Sequence, residues 1–291
     1  MNTVATTDST SLRAASTIPV GTGMSVFDPT FLGIDEYGHP AYLSLIYRNI
    51  LIGGEPGAGK SSLLNTIVGS AALCGDVSLC LLDGKQVELG LWEDCADVFV
   101  GPDLDLAILT LQRLQTVMDN RYTFLKSVRR QKMLPADVFG AILIAIDEIA
   151  FFSATAGDKK TQEQFSALLR DLVARGRAVG IIVAAATQRP SSDIIPTSLR
   201  DLFAWRFAGR CTTDVSSDIV LGHGWASRGY SSNTVDPNNQ GCGYLIAEGG
   251  IPTLIKAAYM SNDDIIRVAD YAAWTRRTAK TTAATELRAA A

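Results

Sequence analysis

Histidine is scarce in this chain: His39 and His223 are the only two in 291 residues. The five cysteines, Cys74, Cys80, Cys95, Cys211 and Cys242, form no CxxC pair. No zinc-ligand spacing can be built from these residues, so a zinc site is excluded and reduced, mostly buried thiols are expected. Long apolar runs are missing as well. No stretch approaches the ~18 consecutive apolar residues of a membrane span, and the best runs, 141–146 and 179–186, are strand-length. The first residues lack the basic-then-apolar order of a signal peptide. The expectation is a cytoplasmic protein with no transmembrane segment of its own, brought to a membrane or septum, if at all, by a membrane-protein partner. Charge of one sign is also lacking. A net charge of −4 with 19% charged residues argues against coating nucleic acid by bulk charge. It leaves room for a small basic patch that a ring of copies repeats.

What the chain does have is apolar content, 47% of residues, enough for one large α/β domain. Residues 1–17 are rich in Ser and Thr and read as a disordered lead-in, and 275–291 read as a flexible tail. The domain between them, 18–274, alternates short β-branched runs with amphipathic stretches, the pattern of a mostly parallel sheet with helices on both faces. Strands are expected at 49–53, 77–83, 142–147 and 180–186. One helix is expected from Asp103, carrying Leu104, Ile108, Leu111 and Met118, and another carrying Phe165, Leu169 and Leu172. Runs near 203–207, 243–247 and 253–259 read as a β extension, followed by a last helix over 262–274.

Directly after the first of these strands stand Gly54, Glu55, Pro56, Gly57, Ala58, Gly59, Lys60 and Ser61, a full GxxxxGK[ST] match, followed by Ser62 and an apolar helical pattern. The glycines let successive backbone N–H groups turn toward the β- and γ-phosphates of a nucleotide. Lys60 adds a charge there and Ser61 reaches a magnesium ion. The apolar run 141–146 ends in Asp147 and Glu148, which sets one carboxylate beside the metal and the next beside the attacking water. The run 180–186 ends in Thr187 and Gln188; Gln188 is the first candidate for sensing the γ-phosphate, and Thr187 the second. With no NKxD element, ATP with Mg2+ is favoured over GTP. Arg121, Lys126, Arg129, Arg130 and Lys132 form a basic run, read either as a solvated helix end or as a phosphate-tracking or subunit-contact surface.

Taken in order, these segments resemble the FtsK/SpoIIIE family of DNA translocases. The most specific matches are ARGRAVGI with AATQRP (174–190), supported by LGIDEYGHP (32–40), LLDGKQVEL (81–89) and MDNRY (118–122). SDIVLGHGWASRGY and the GCGYLIAEGGIPTLIKAAYMSNDDI stretch look most like the short FtsK-type transfer proteins of actinobacterial plasmids and integrative elements. The resemblance implies a RecA-like motor fold, ATP with Mg2+, a homo-oligomer that is a hexameric ring, and double-stranded DNA as track. The chain departs from the family in showing no membrane region and no winged-helix module. Asp218 also stands where many members have Arg. An arginine acting on a neighbour's nucleotide then has to come from Arg175, Arg177, Arg189, Arg200 or Arg206.

Two functions stay open on the residues alone. One is an ATPase motor that pumps duplex DNA, in conjugative plasmid or integrative-element transfer. The other is a non-motor nucleotide switch in plasmid replication or partition. Glu148 separates them, because a binding switch has no need of a water-activating carboxylate.

Overall fold

The computed structural model of the chain describes residues 24–289, with side chains through Arg277. The expected lead-in 1–17 lies outside the described residues. In chain order the strands are β1 (Thr30–Asp35), β2 (Pro40–Leu43), β3 (Ile50–Gly53), β4 (Val77–Leu82), β5 (Val98–Val100), β6 (Ala141–Ile146), β7 (Ile181–Thr187), β8 (Trp205–Gly209), β9 (Cys242–Ala247) and β10 (Thr253–Ala257). The helices are α1 (Lys60–Leu73), α2 (Leu104–Ser127), α3 (Lys159–Arg175), α4 (Thr197–Arg200), α5 (Asp214–Leu221) and α6 (Asn262–Ala289).

All ten strands join one sheet in the order β2-β1-β10-β9-β8-β3-β7-β6-β4-β5. From β8 to β5 the pairing is parallel, and from β8 to β2 it is antiparallel. The parallel strands are apolar throughout because both faces are covered. Alternate residues enter different cores. Ile50, Ile52, Leu79, Leu81, Ala184 and Ala186 pack beneath α1 and α6, whereas Leu51, Cys80, Leu82, Val183 and Ala185 pack against α2, α3 and α5. Asp103 starts α2 by accepting the Leu106 N–H, and Asp158 starts α3 in a reciprocal cap with Thr161. All five cysteines are free and buried, as expected.

Three expectations are revised. The β extension is not C-terminal alone: the hairpin β1–β2 folds back to cover β10. Its alternation is blurred by exposed Phe31 and Ile34 and by a register shift between Phe31 and Gly33. The last helix continues past residue 274 to Ala289, because the alanines and charged residues beyond it are good helix formers. The basic run does not form one surface. Arg121 is turned inward, donating to the Val179 and Gly140 carbonyls with its guanidinium 4.5 Å from the centre of the Phe139 ring, and burial pulls its pKa down to about 10. Arg130 pairs with Asp137.

Asn49, fully buried at the start of β3, ties the sheet to α3. Its Nδ2 donates to the Val173 carbonyl and its Oδ1 accepts the Val183 N–H, both at 2.8 Å. Asn49→Ala leaves two buried backbone groups unpaired, each costing about 1–3 kcal/mol. Urea unfolding of this variant is expected to show the loss as a lower midpoint at unchanged slope; an unshifted midpoint means that water replaces the amide.

Candidate nucleotide site

The parallel strands all point the same way, so the C-terminal tips of β8, β3, β7, β6 and β4 share one edge of the sheet. Every nucleotide-site residue expected from sequence sits on that edge. Between β3 and α1 the loop 54–59 curls with Gly57 at φ 78° and Gly59 at φ 85°, a region that disfavours side chains. A Cβ on Gly59 would also fall 2.3 Å from the Gly241 Cα. Pro56 and Gly57 are exposed, and Ala58 is buried with its carbonyl accepting the Gly241 N–H. Helix α1 begins with no side-chain cap and no acidic residue in its first turn. Its unpaired N–H groups and positive dipole end, with Ser61 and Ser62 in the first turn, are left to face an anion.

Lys60 is only 5% exposed, and its ammonium donates to the Glu55 carbonyl at 2.7 Å. Burial pulls its pKa down to about 8 against the opposing pull of Glu148 and Asp147. The loop is held from the β8 side. Glu55 N–H donates to the Arg210 carbonyl, its carboxylate accepts the Thr212 N–H at 2.7 Å, and the Arg210 guanidinium lies 3.4 Å from its Oε2. Sequence reasoning missed Arg210, because nothing local links it to a loop some 150 positions earlier.

β7 lies between β3 and β6, as the strand-tip reading requires. Glu148 follows β6 and is buried, and its carboxylate accepts three hydrogen bonds. They come from Thr187 Oγ1 at 2.7 Å, the Gln188 N–H at 2.8 Å and the Ala150 N–H at 3.2 Å. Thr187 therefore grips Glu148, and Gln188 does so through its backbone, leaving its side chain without a hydrogen bond among the described residues.

Asp147 is 4% exposed, and its Oδ2 has no hydrogen-bond partner among the described residues. Burial, with Glu88 next, pushes its pKa up to about 7. The nearest cation is Lys85 Nζ, 4.0 Å from Oδ2. Lys85 is aimed there by Asp83, a fully buried carboxylate after β4 that accepts the N–H groups of Lys85, Gln86, Glu88 and Leu89 at 2.8–3.0 Å. A buried, unpartnered carboxylate oxygen near the first turn of α1 fits a hard divalent cation. No cluster of three His, Cys, Asp or Glu suited to a metal occurs among the described residues. Magnesium needs none, since it takes most of its ligands from phosphate and water.

The five arginine candidates are scattered. Arg175 and Arg177 precede β7, at the opposite edge of the sheet, paired with Asp171 and Glu248. Arg200 and Arg206 are largely buried beside Asp201. Arg189 is exposed at the nucleotide edge, 3.5 Å from Asp193. Asp218 accepts the Gly224 and Ala226 N–H groups and so shapes the turn after α5.

Residues 13–141 match the FtsK/SpoIIIE family. The chain is 29% identical over 264 residues to the DNA translocase FtsK of Treponema pallidum, covering 84% of this chain and 32% of that protein. Identity to the Haemophilus influenzae DNA translocase FtsK is 27% over 280 residues, covering 83% of this chain and 51% of the relative. The chain thus spans between a third and a half of these relatives. Among solved structures, the pCW3 conjugation coupling protein TcpA, a monomer form with ATPγS, superposes with a TM-score of 0.70 at 20% identity, covering 84% of this chain and 70% of that one. The fold, a mostly parallel sheet with helices on both faces, is shared with that structure, and the FtsK/SpoIIIE match covers the segment that carries the phosphate loop.

Proposed function

We propose that this chain is an ATP-hydrolysing motor domain that moves double-stranded DNA, with identical copies acting as a closed ring. The observation that carries the reading is the meeting of Lys60 after β3, Thr187 at the end of β7, and Asp147 and Glu148 after β6, at the tips of three adjacent strands. A site that only bound nucleotide would not need Glu148 held by three donors beside the phosphate loop. In this reading the α1 N-terminus and Lys60 bind the phosphates. Asp147 and Ser61 hold Mg2+, which when bound neutralises charge building up on the β- and γ-phosphates. Glu148 orients and deprotonates the attacking water, and the free Gln188 amide reads the γ-phosphate. The track is duplex DNA because the relatives matched over most of this chain are named DNA translocases. The narrower role, DNA transfer between cells, rests on the transfer-protein character of the segments from Ser217 to Ile265.

Steady-state hydrolysis measured with and without nucleic acid tests this. Duplex of arbitrary sequence is expected to raise the rate several-fold, and single-stranded DNA less, since no row of aromatic stacking platforms lines the site edge among the described residues. A rate indifferent to duplex would leave the non-motor switch as the better reading.

A further inference from the structure

A triphosphate bound at this site has a direction. Asp147, Glu148 and Thr187 stand at the ends of β6 and β7, on one side of β3, and they fix where its γ-phosphate lies. Ribose and base then leave the phosphate loop toward the other side of β3, where β8, β9 and β10 follow in order. β8 runs parallel to β3, β9 antiparallel to β8, and β10 antiparallel to β9. β10 therefore runs with β3, and its C-terminal tip opens on the nucleotide edge.

Two backbone hydrogen bonds join that tip to the phosphate loop. The Gly241 N–H donates to the Ala58 carbonyl at 3.2 Å, and the Ala257 N–H, at the end of β10, donates to the Gly241 carbonyl at 2.9 Å. Lys256 fastens the same corner, its ammonium donating to Asn239 Oδ1 at 2.7 Å and to the Gln240 carbonyl. The residues that follow run along α1. Thr66 Oγ1 lies 3.4 Å from the Ala258 carbonyl, and the Met260 sulfur sits beside Gly69.

Between Ala258 and Met260 stands Tyr259, 78% exposed. The chain is fixed on both sides of it. The Ala258 N–H donates to the Leu32 carbonyl at 2.7 Å, and Ser261 Oγ donates to Asp264 Oδ2 at 2.6 Å as α6 begins. Single exposed aromatics are common on protein surfaces, so exposure alone assigns nothing. The place of Tyr259 does: it borders the first turns of α1, on the side of the loop where the nucleoside must go. An aromatic face on a pinned backbone stacks on a base with little ordering left to lose.

We infer that Tyr259 is the stacking platform for the nucleotide base, on the β10 side of the phosphate loop. The inference rests on the loop binding nucleotide, and neither on DNA nor on the ring. It gives the antiparallel extension a part in the site: β3 and α1 take the phosphates, β6 and β7 the hydrolysis, and β10 the base. Because every base has a π face, the platform supplies affinity rather than a choice between adenine and guanine.

The test is calorimetric titration of the full chain with two ligands, each with Mg2+. One is an ATP analogue whose β–γ bridge resists hydrolysis; the other is inorganic tripolyphosphate, which has the phosphates without ribose or base. Tyr259→Ala is expected to weaken the ATP analogue about tenfold and to leave tripolyphosphate unchanged, since loss of one base–aromatic stack is of that order. Tyr259→Phe keeps the ring and binds the analogue as wild type does. Tyr259→Leu keeps only apolar bulk and behaves like the alanine variant. Equal weakening of both ligands by Tyr259→Ala, or wild-type affinity in the leucine variant, overturns the assignment. Sedimentation of the same samples covers a rival occupant. If Tyr259→Ala alters self-association and leaves analogue affinity intact, Tyr259 faces a neighbouring copy and the inference is overturned. Wild-type protein that binds the analogue no tighter than tripolyphosphate overturns the base site alone. Wild-type protein that binds neither removes the nucleotide reading itself, and the platform falls with it.

Discussion

Lys60→Ala lowers ATP affinity about a hundredfold, since a charge-assisted contact to phosphate is worth about 3 kcal/mol and each 1.4 kcal/mol is tenfold. The structure makes this loss specific. Lys60 is already desolvated, 5% exposed, and its ammonium donates to the Glu55 carbonyl. Nucleotide binding exchanges that neutral acceptor for anionic oxygens. The same burial supplies a pH signature. With Lys60 held near a pKa of about 8 in the free protein, the protonated form is the one that binds phosphate. A bound polyanion raises this pKa, so binding takes up a proton whenever pH exceeds about 8. Wild-type affinity is therefore flat below that value and falls above it, and Lys60→Ala removes the bend. Titration with a fluorescent ATP analogue between pH 6 and 10 checks both. Affinity within threefold of wild type, or a bend that survives the substitution, would take Lys60 off the phosphates.

Glu148→Gln separates binding from turnover. Its kcat is expected to fall by about 10²–10⁴-fold, the usual worth of a general base, with ATP affinity retained. The hydrogen bonding predicts a secondary cost. A glutamine oxygen can take the Gln188 N–H while its NH2 turns to Thr187 Oγ1, but the Ala150 N–H then loses its acceptor. Thr187→Val isolates the positioning part, leaving one carboxylate oxygen with the Ala150 N–H alone without removing the base. It is expected to lower kcat about tenfold at unchanged KM, with Thr187→Ser restoring most of the rate because the hydroxyl returns. Wild-type turnover in Glu148→Gln would mean that another group activates the water. A Thr187→Val defect confined to KM would make Thr187 a nucleotide contact instead.

The parts of this site legible in sequence are those whose chemistry is local. A loop of fixed spacing between an apolar strand and a helix announces phosphate binding, and β6 and β7 stand out because burial on both faces makes them apolar throughout. The illegible parts depend on which segments the sheet brings together. Thr187 ranks behind Gln188 on sequence, since only the β6–β7 pairing shows that its hydroxyl reaches Glu148. Arg210 and the Glu55 contacts arise because β8 pairs with β3. The basic run from Arg121 to Lys132 was misleading for the same reason. Charge along the chain says nothing of direction, and two of its members turn to carbonyls or to Asp137 rather than to solvent. The hairpin β1–β2 escaped because half-exposed strands with a bulge carry a weak alternation.

That hairpin has a consequence for how the chain is made. Once β1 is made, its sheet partner β10 emerges only roughly 220 residues later, about 10–45 s at ordinary ribosomal speeds. During that wait the backbone of β1 has only β2 to pair with, and Phe31, Ile34 and Tyr42 lie open to other nascent chains. Closing so long a loop is slow as well. The nucleotide-binding strands β3 to β8 are synthesised before β9 and β10, so the strands that carry the phosphate loop and Glu148 can pair before the sheet is whole. A chaperone that shields the β1–β2 hairpin during synthesis is therefore expected to raise the yield of this protein more than one acting after release.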